Sequence, residues 1–298
     1  MARKFSIITT CKGRLAHLRQ SLPLMLAQDG AEVIVVDYCC PDDTAAQVAA
    51  EFPAAKVVKV EGQHGFSNWR ARNAGAAAAG GDLLLFCDAD TLLADGALDQ
   101  IAHDLPTGSF GHIDREADAH LGPGAPRLAR NQLRGFHVIP AAAFKRVGGY
   151  DEVLEGYAAG GDTDLERRLQ MAGVKPQPLP AALIDSVIAH DNADRMRHHA
   201  DPVQLSYATG LLYRSAKLAL LRLRGRFELP LTTRRHLYDV AKTSARTLGA
   251  PRDTMRMMVE VDARPVMMPR QLGYRRGTQK VSLTIEVAME EPAELLAE

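Results

Sequence analysis

The segment that decides the fold is Asp82-Leu-Leu-Leu-Phe-Cys-Asp-Ala-Asp90, an apolar run that ends in two aspartates. Continuous apolar runs of this length are typical of strands that are buried on both faces of a parallel sheet. A Gly-Gly pair precedes the run and closes an alanine-rich, helix-like stretch over 68–79. The segment is therefore predicted to be a buried strand that follows a helix and ends at Asp88.

The chain before this strand repeats the same alternation. Three strand-like runs alternate with helical patterns: Phe5–Thr9, Glu32–Asp37 and Ala55–Val60. Such alternation predicts an α/β fold with a Rossmann-like, mostly parallel sheet flanked by helices. Ligands of such sheets bind beyond the carboxyl ends of the strands. Because two of these strands end in aspartates, Asp37, Asp88 and Asp90 are predicted to share one pocket rim.

The remaining chain divides by composition. Residues 106–194 hold shorter elements, with a strand at 135–139, a helix at 162–172 and a strand at 182–188. Residues 195–280 carry 18 Lys and Arg against 6 Asp and Glu, although the whole chain is neutral with 36 of each.

The composition and the strand pattern together predict the domain organisation. We predict a domain over 1–194, made of halves 1–105 and 106–194. A basic, mainly helical extension over 195–298 follows it.

Composition excludes several classes of protein. A hydrophobic content of 46% and a charged content of 24% are ordinary for a globular chain and exclude a disordered one. No apolar run approaches the ~18–20 residues that span a bilayer, and the four cysteines fit reduced thiols. We therefore expect a cytoplasmic protein with no nucleic-acid partner.

The Asp88-Ala-Asp90 spacing indicates a metal site. Two carboxylates directly after a buried strand can both approach one hard divalent cation, which accepts oxygen ligands and bridges to phosphates. The alternative is that Asp90 caps a following helix. Asp37 can accept hydrogen bonds from a nucleobase or a ribose, or it can form a turn. Arg72 lies near a predicted helix start, where a cation suits a bound anion, or it is a surface arginine.

Six strings of the sequence together resemble family 2 glycosyltransferases of the GT-A fold. They are Ser6–Leu15, Val35–Asp37, Arg72–Gly75, Gly81–Asp82 with Asp88–Asp90, Gly148–Asp151 and Gly160–Leu169. The first string is most similar to the branch that holds chondroitin-type synthases and galactosyl- or N-acetylgalactosaminyl-transferases. The resemblance covers roughly 4–192.

The resemblance implies a UDP-sugar donor, a Mn²⁺ or Mg²⁺ ion and transfer with inversion. It assigns six residues to the nucleotide sugar: Thr9, Arg14, Asp37, Arg72, Asp88 and Ala89. Within this set Asp37 contacts uridine and Arg72 assists the diphosphate. The metal is assigned to Asp90, with Asp88 and with His190 as a third ligand, although a lone histidine can equally be structural.

The resemblance also assigns Asp162 as the general base that deprotonates the acceptor hydroxyl. The family usually has a Glu-Asp pair at this point, but this chain has Gly161 before Asp162. That departure leaves the acceptor-binding residue open, and Asp164 is the natural competitor for the base role.

These observations predict a metal-dependent, inverting hexosyltransferase of surface or capsular polysaccharide synthesis. Its partners would be a UDP-sugar and a glycan or lipid-linked acceptor. The run 213–226 interleaves leucines with basic residues, which suits peripheral contact with an anionic membrane surface at its inner face, or an ordinary packed helix.

Two alternatives stay open. A sugar nucleotidyltransferase should have a Gly-rich loop after the first strand, but the loop 10–14 has one glycine. A non-catalytic nucleotide-binding scaffold would explain the missing glutamate.

Overall fold

The computed structural model describes residues 3–63, 65–113, 133–189, 192–247, 254–266 and 277–287. The chain divides into two compact units. The first consists of Met1–Glu152 and Gly161–Ala200, and the second of Val153–Gly160 and Asp201–Glu298. The predicted domain boundary after 194 stays a prediction.

The first unit is built on a seven-stranded sheet. The strands of this unit are β1 (Phe5–Cys11), β2 (Ala31–Tyr38), β3 (Lys56–Val60), β4 (Leu83–Phe86), β5 (Thr91–Leu93), β6 (Ser109–Ile113), β7 (His137–Pro140), β8 (Lys175–Leu179) and β9 (Ile184–Val187). The order in the main sheet is β3-β2-β1-β4-β7-β6-β8, and β5 pairs with β9 separately. Only β7 runs antiparallel to its neighbours β4 and β6 among the described strands of the main sheet.

Helices flank this sheet. They are α1 (Leu15–Leu26), α2 (Thr44–Glu51), α3 (Asn68–Ala78), α4 (Ala97–Asp104), α5 (Ala141–Arg146), α6 (Gly161–Met171) and α7 (Asn192–Met196), with a 3-10 turn at Ala181–Leu183. The mostly parallel sheet between helices confirms the predicted fold class.

The burial of the central strands explains why their sequences are so apolar. All seven residues of β1 and all four of β4 are buried. Gly75 brings α3 close to the sheet, since a Cβ at this position would lie 2.4 Å from the Ile8 side chain. Because α3 packs closely on the sheet, the N-terminal half of this helix, which includes Arg72, lies near the ends of the strands.

No helix begins directly after Asp90. Thr91–Leu93 forms β5, and α4 begins only at Ala97. Gly96 precedes α4 with a φ of 67°, a left-handed conformation that glycine adopts without strain. The alternative role of Asp90 as a helix cap is therefore also wrong.

The second unit holds two helices and a hairpin. These are α8 (Val203–Arg224), α9 (Leu231–Arg246), and the antiparallel strands β10 (Met255–Val266) and β11 (Gly277–Val287). The helical extension is confirmed. The sequence analysis did not predict the hairpin of β10 and β11.

The basic run over 213–226 lies mainly in α8, which is packed on one side. Tyr213, Ala216 and Leu220 are buried, and the Tyr213 ring meets Tyr238 of α9 edge-on at 5.6 Å. Buried Lys217 forms an ion pair with Glu228 at 3.1 Å. These contacts show that one face of α8 is packed within the second unit, while contact with a membrane surface and packing on the predicted domain over 1–194 both stay predictions. Across the described residues, no helix is long and apolar enough to cross a bilayer.

Candidate active site

Asp88 and Asp90 lie just beyond the carboxyl end of β4, and each is paired with an arginine. Asp88 accepts a hydrogen bond from Arg72 at 2.7 Å, and Asp90 accepts one from Arg14 at 3.0 Å. The Asp88 side chain is 36% exposed, whereas that of Asp90 is 9% exposed. The structure thus brings four of the predicted site residues together at one edge of the sheet.

Arg72 lies at the centre of the site and is almost completely buried. Its guanidinium donates to Asp88, to the Tyr150 hydroxyl at 2.9 Å and to Asp162 Oδ1 at 3.2 Å. Burial lowers the pKa of Arg72, but Tyr150 and the two carboxylates raise it overall, so the side chain stays a cation. The surface-arginine alternative is wrong, and one cation joins the predicted donor side to the predicted base.

Asp162 lies in the first turn of α6, with its side chain 17% exposed. Burial raises the pKa of this carboxyl, while Arg72 and His137 oppose that shift. His137 Nδ1 lies 3.7 Å from Asp162 Oδ1. A partly exposed carboxylate with a raised pKa has the proton affinity and the access that a general base requires.

His137 and Glu166 belong to this site, although the sequence analysis did not identify them. His137 lies in β7, is fully buried and places Nε2 2.9 Å from Glu166 Oε1. Glu166 follows Asp162 by one helical turn on α6, so both carboxylates face the same imidazole. Two signals in the sequence could have identified them: the i,i+4 spacing of Asp162 and Glu166, and the position of polar His137 inside an apolar strand.

Asp164, the competing candidate for the base role, is buried within the packing of α6 and has no exposed surface at the site. Its side chain is fully buried and pairs with Arg168 at 2.7 Å within α6. Arg168 also donates to the carbonyls of Val147 and Gly149. An acceptor hydroxyl cannot reach a carboxylate with no exposed surface, so Asp164 holds α6 to the preceding loop instead.

The other predicted donor residues differ in access. Asp37 is buried and accepts hydrogen bonds from the backbone N–H groups of Cys40 and Ala45, both at 2.8 Å. Ala89 is buried, and its carbonyl accepts from the Ser21 hydroxyl at 2.7 Å. Thr9 has no exposed surface, and its role in nucleotide binding stays a prediction. For Asp37, the turn-forming alternative describes its observed contacts.

Lys12 organises the same edge, and the sequence analysis did not single it out. Its ammonium donates to the carbonyls of Tyr38 and Cys39, both at 3.2 Å, and of Gln63 at 2.9 Å. Tyr38 and Cys39 lie at the end of β2, Gln63 lies three residues after β3, and Lys12 itself directly follows β1. One buried cation therefore ties together three strand ends.

Gly161 stands where the family usually has a glutamate, and Trp69 explains the change. A Cβ at Gly161 would lie 2.6 Å from the Trp69 indole. The indole in turn stacks on Tyr150 with the ring centroids 5.4 Å apart. The aromatic pair fills the space that a longer side chain at Gly161 would need.

The residues suit a divalent metal in their donor chemistry. Mn²⁺ and Mg²⁺ prefer oxygen ligands, and the carboxylates of Asp88 and Asp90 supply them at one strand end. Of the residues whose positions are described, no three His, Cys, Asp or Glu form a metal-binding group. His190, the predicted third ligand, lies outside the described residues.

Comparison with known families finds a similarity in the first part of the chain. Residues 6–113 match the family described as Glycosyl transferase family 2. The match covers about a third of the chain. This segment contains β1 to β6 and therefore both arginine-paired aspartates.

A curated relative and solved structures are also similar to parts of this chain. An uncharacterized glycosyltransferase, YwdF of Bacillus subtilis (strain 168), is 27% identical over 115 residues, or 38% of this chain. The chain spans 42% of that relative's length. The mannosyltransferase PcManGT from Pyrobaculum calidifontis, solved with GDP-Man and Mn²⁺, has a TM-score of 0.54 at 16% identity and covers 84% of this chain and 77% of its own.

A second solved structure, S. aureus TarS 1-349 with UDP-GlcNAc, has a TM-score of 0.51 at 15% identity and covers 81% of each chain. At such identities these likenesses show the fold, which is that of GT-A glycosyltransferases. Together the family match, the relative and the neighbours support a glycosyltransferase. The chondroitin-synthase-like branch stays a prediction.

Proposed function

We propose that the chain is a metal-dependent, inverting glycosyltransferase that moves a sugar from a UDP-sugar to a glycan or lipid-linked acceptor. The observation that carries this proposal is the Arg72 guanidinium, which binds both Asp88 and Asp162. Because one guanidinium contacts both carboxylates, this observation supports a single site for the donor and the base. The family match and the nucleotide sugars bound by PcManGT and TarS support the same chemistry.

On the donor side, Asp88 and Asp90 would hold Mn²⁺ or Mg²⁺. When bound, such an ion neutralises the charge that develops on a departing diphosphate. Arg14 and Arg72 form ion pairs with these carboxylates. The two arginines therefore offset the negative charge at this edge of the sheet when no ligand is bound. Lys12 holds the strand ends around Asp37, where we place the uridine.

On the acceptor side, Asp162 would take the proton of the attacking hydroxyl. That oxygen forms a bond to the anomeric carbon as the bond from that carbon to UDP breaks, and the proton passes to the Asp162 carboxylate. Attack from the face opposite UDP inverts the anomeric centre. His137, held by Glu166, faces Asp162 and acts as a positioning residue for this carboxylate.

We place this activity in surface or capsular polysaccharide synthesis, in the cytoplasm, with 1–194 as the catalytic domain. The basic extension over 195–298 would meet an anionic or lipid-linked acceptor near the inner face of the membrane. The excess of Lys and Arg in 195–280 supports this placement.

The first test is a thermal-shift series with UDP, GDP, CDP and ADP, each with Mn²⁺ and with EDTA. A ligand that binds only the native state raises the melting temperature. We expect stabilisation by UDP that requires Mn²⁺ and that Asp90→Ala abolishes. Asp99→Asn, an exposed aspartate of α4, is the matched control.

Turnover is then measured as UDP release from a panel of UDP-sugars with acceptor glycans. Transfer of sugar with inverted configuration supports the proposal. Nucleotide binding without turnover would favour the scaffold alternative, and release of pyrophosphate from UTP and a sugar phosphate would favour a nucleotidyltransferase.

A further inference from the structure

Two cysteines lie together at the ends of β1 and β2. Cys11 is the last residue of β1 and is paired in register with Asp37 of β2. Cys40 follows β2 by two residues, and its N–H donates to Asp37 Oδ1 at 2.8 Å. This hydrogen bond turns the chain back toward Cys11, so the two side chains meet although 29 positions separate them.

The sulfur atoms share one hydrogen-bond network. The Cys11 and Cys40 side chains hydrogen-bond to each other. The Gly13 N–H donates to Cys40 Sγ at 3.0 Å, and the Thr44 hydroxyl donates to Cys11 Sγ at 3.3 Å. Thr44 is also the first residue of α2, whose N-terminal end favours negative charge nearby.

This network places the negative charge on Cys40. The hydrogen bond from Cys11 lowers the pKa of Cys40 to about 6, and the Thr44 and Gly13 donors act in the same direction against burial. The pKa of Cys11 is raised by the same hydrogen bond and by burial. Of the two thiols, Cys40 is therefore the one that loses its proton more readily, and Cys11 is the one that keeps it.

We propose that Cys11 and Cys40 form an oxidation-sensitive dithiol, with Cys40 as the nucleophile and Cys11 as the resolving thiol. Cys40 is half-buried, so a small oxidant can reach it, whereas Cys11 is fully buried. This assignment does not depend on the proposed function.

The oxidant is a hydroperoxide. The Cys40 thiolate attacks the O–O bond, which yields a sulfenic acid on Cys40 and releases an alkoxide, or hydroxide from hydrogen peroxide. The Cys11 sulfur then attacks the Cys40 sulfur, the S–S bond forms, and the sulfenic oxygen leaves as water with the thiol proton. The dithiol loses two electrons, and the peroxide gains them.

The two other cysteines serve as internal controls. Cys39 is exposed but lies outside the Cys11–Cys40 network described above. Cys87 is buried, and burial raises the pKa of its thiol. Exposure alone would favour Cys39 as the reactive residue, while the network favours Cys40.

The first experiment treats the full chain with hydrogen peroxide, alkylates the remaining thiols and maps the peptides by mass spectrometry. We expect a Cys11–Cys40 disulfide in the wild-type chain and in Cys39→Ser. In Cys11→Ser we expect dimedone to trap a sulfenic acid on Cys40. A disulfide that involves Cys39, or oxidation that spares Cys40, would overturn the proposal.

The second experiment needs no change at the pair itself. In Cys39→Ser, the rate of iodoacetamide alkylation of Cys40 is followed against pH. We expect a midpoint near pH 6, well below the value of about 8.5 for an ordinary cysteine. A midpoint near the ordinary value would show that Cys40 is a neutral thiol and would refute the assignment.

Discussion

The chain contains two Asp-x-Asp sequences of equal spacing, and the structure uses them differently. At Asp88-Ala-Asp90 both carboxylates serve one edge of the sheet, each paired with an arginine from another segment. At Asp162-Thr-Asp164 one carboxylate reaches the site and the other is fully buried.

Local backbone geometry accounts for the difference. Asp88 and Asp90 lie in a turn after β4, which is closed by a hydrogen bond from the Thr91 N–H to the Asp88 carbonyl. Asp162 and Asp164 lie on α6, where residues two apart do not face each other. An Asp-x-Asp sequence therefore indicates a shared site only when the secondary structure around it is known.

The largest effect is expected at Asp162. Asp162→Asn removes the proposed proton acceptor but keeps the shape, so kcat should fall by about 10²- to 10⁴-fold. UDP affinity, measured by calorimetry with Mn²⁺, should stay near that of the wild type. Full turnover by this variant would show that another residue is the base and that Asp162 and Asp164 do not differ in catalytic role.

Asp164 should affect stability instead of chemistry. Asp164→Ala removes the carboxylate that balances the buried charge of Arg168, and breaking a buried ion pair typically costs about 3–5 kcal/mol. Urea unfolding measures this loss, and kcat of the folded fraction should be unchanged. A specific loss of kcat with normal stability would show that Asp164 acts in catalysis after all.

Asp90 tests the donor half of the comparison. Asp90→Asn should weaken Mn²⁺-dependent UDP binding by at least the ~10- to 100-fold that partners around metal ligands typically contribute. Equilibrium titration of UDP at fixed Mn²⁺ measures this change. Equal UDP affinity with Mn²⁺ and with EDTA in the wild-type chain would contradict a metal role for the pair.

The smallest effect is expected in the pH profile. Asp162 must be deprotonated to act as a base, so kcat/KM should fall as the pH drops through its raised pKa, above the ordinary value of about 3.9. His137 lowers the pKa of Asp162, so His137→Gln should move this acid limb to higher pH. An unmoved limb would separate His137 from the base.

Much of the fold could be predicted because it rests on local patterns. The apolar runs of β1, β2 and β4 are continuous since both faces of these strands are buried. The antiparallel direction of β7 was not predicted, because pairing depends on contacts far apart in sequence. The buried side chains of β10 alternate at Met255, Met257 and Val259, and over 255–264 only Met258 interrupts the alternation of apolar and polar residues in the sequence. This strand was therefore predictable, but the sequence analysis did not identify it.

The candidate site could be predicted only in part, for the same reason. Asp88 and Asp90 follow a strong strand signal, but His137 carries none that separates it from a buried structural histidine. Arg72 of α3 contacts Asp88 and Asp162, which follow it in the sequence by 16 and 90 positions. The candidate residues could be identified from the sequence, but which of them contact one another depends on packing between distant segments.

The contact between Gly161 and Trp69 has an evolutionary consequence. A glutamate restored at position 161 would collide with the indole, whereas a smaller residue at 69 alone would leave a cavity beside Tyr150. Neither single change is well tolerated, so the two positions should covary among homologous sequences. Lineages with tryptophan at 69 should keep glycine at 161, and those with glutamate at 161 should carry a smaller side chain at 69.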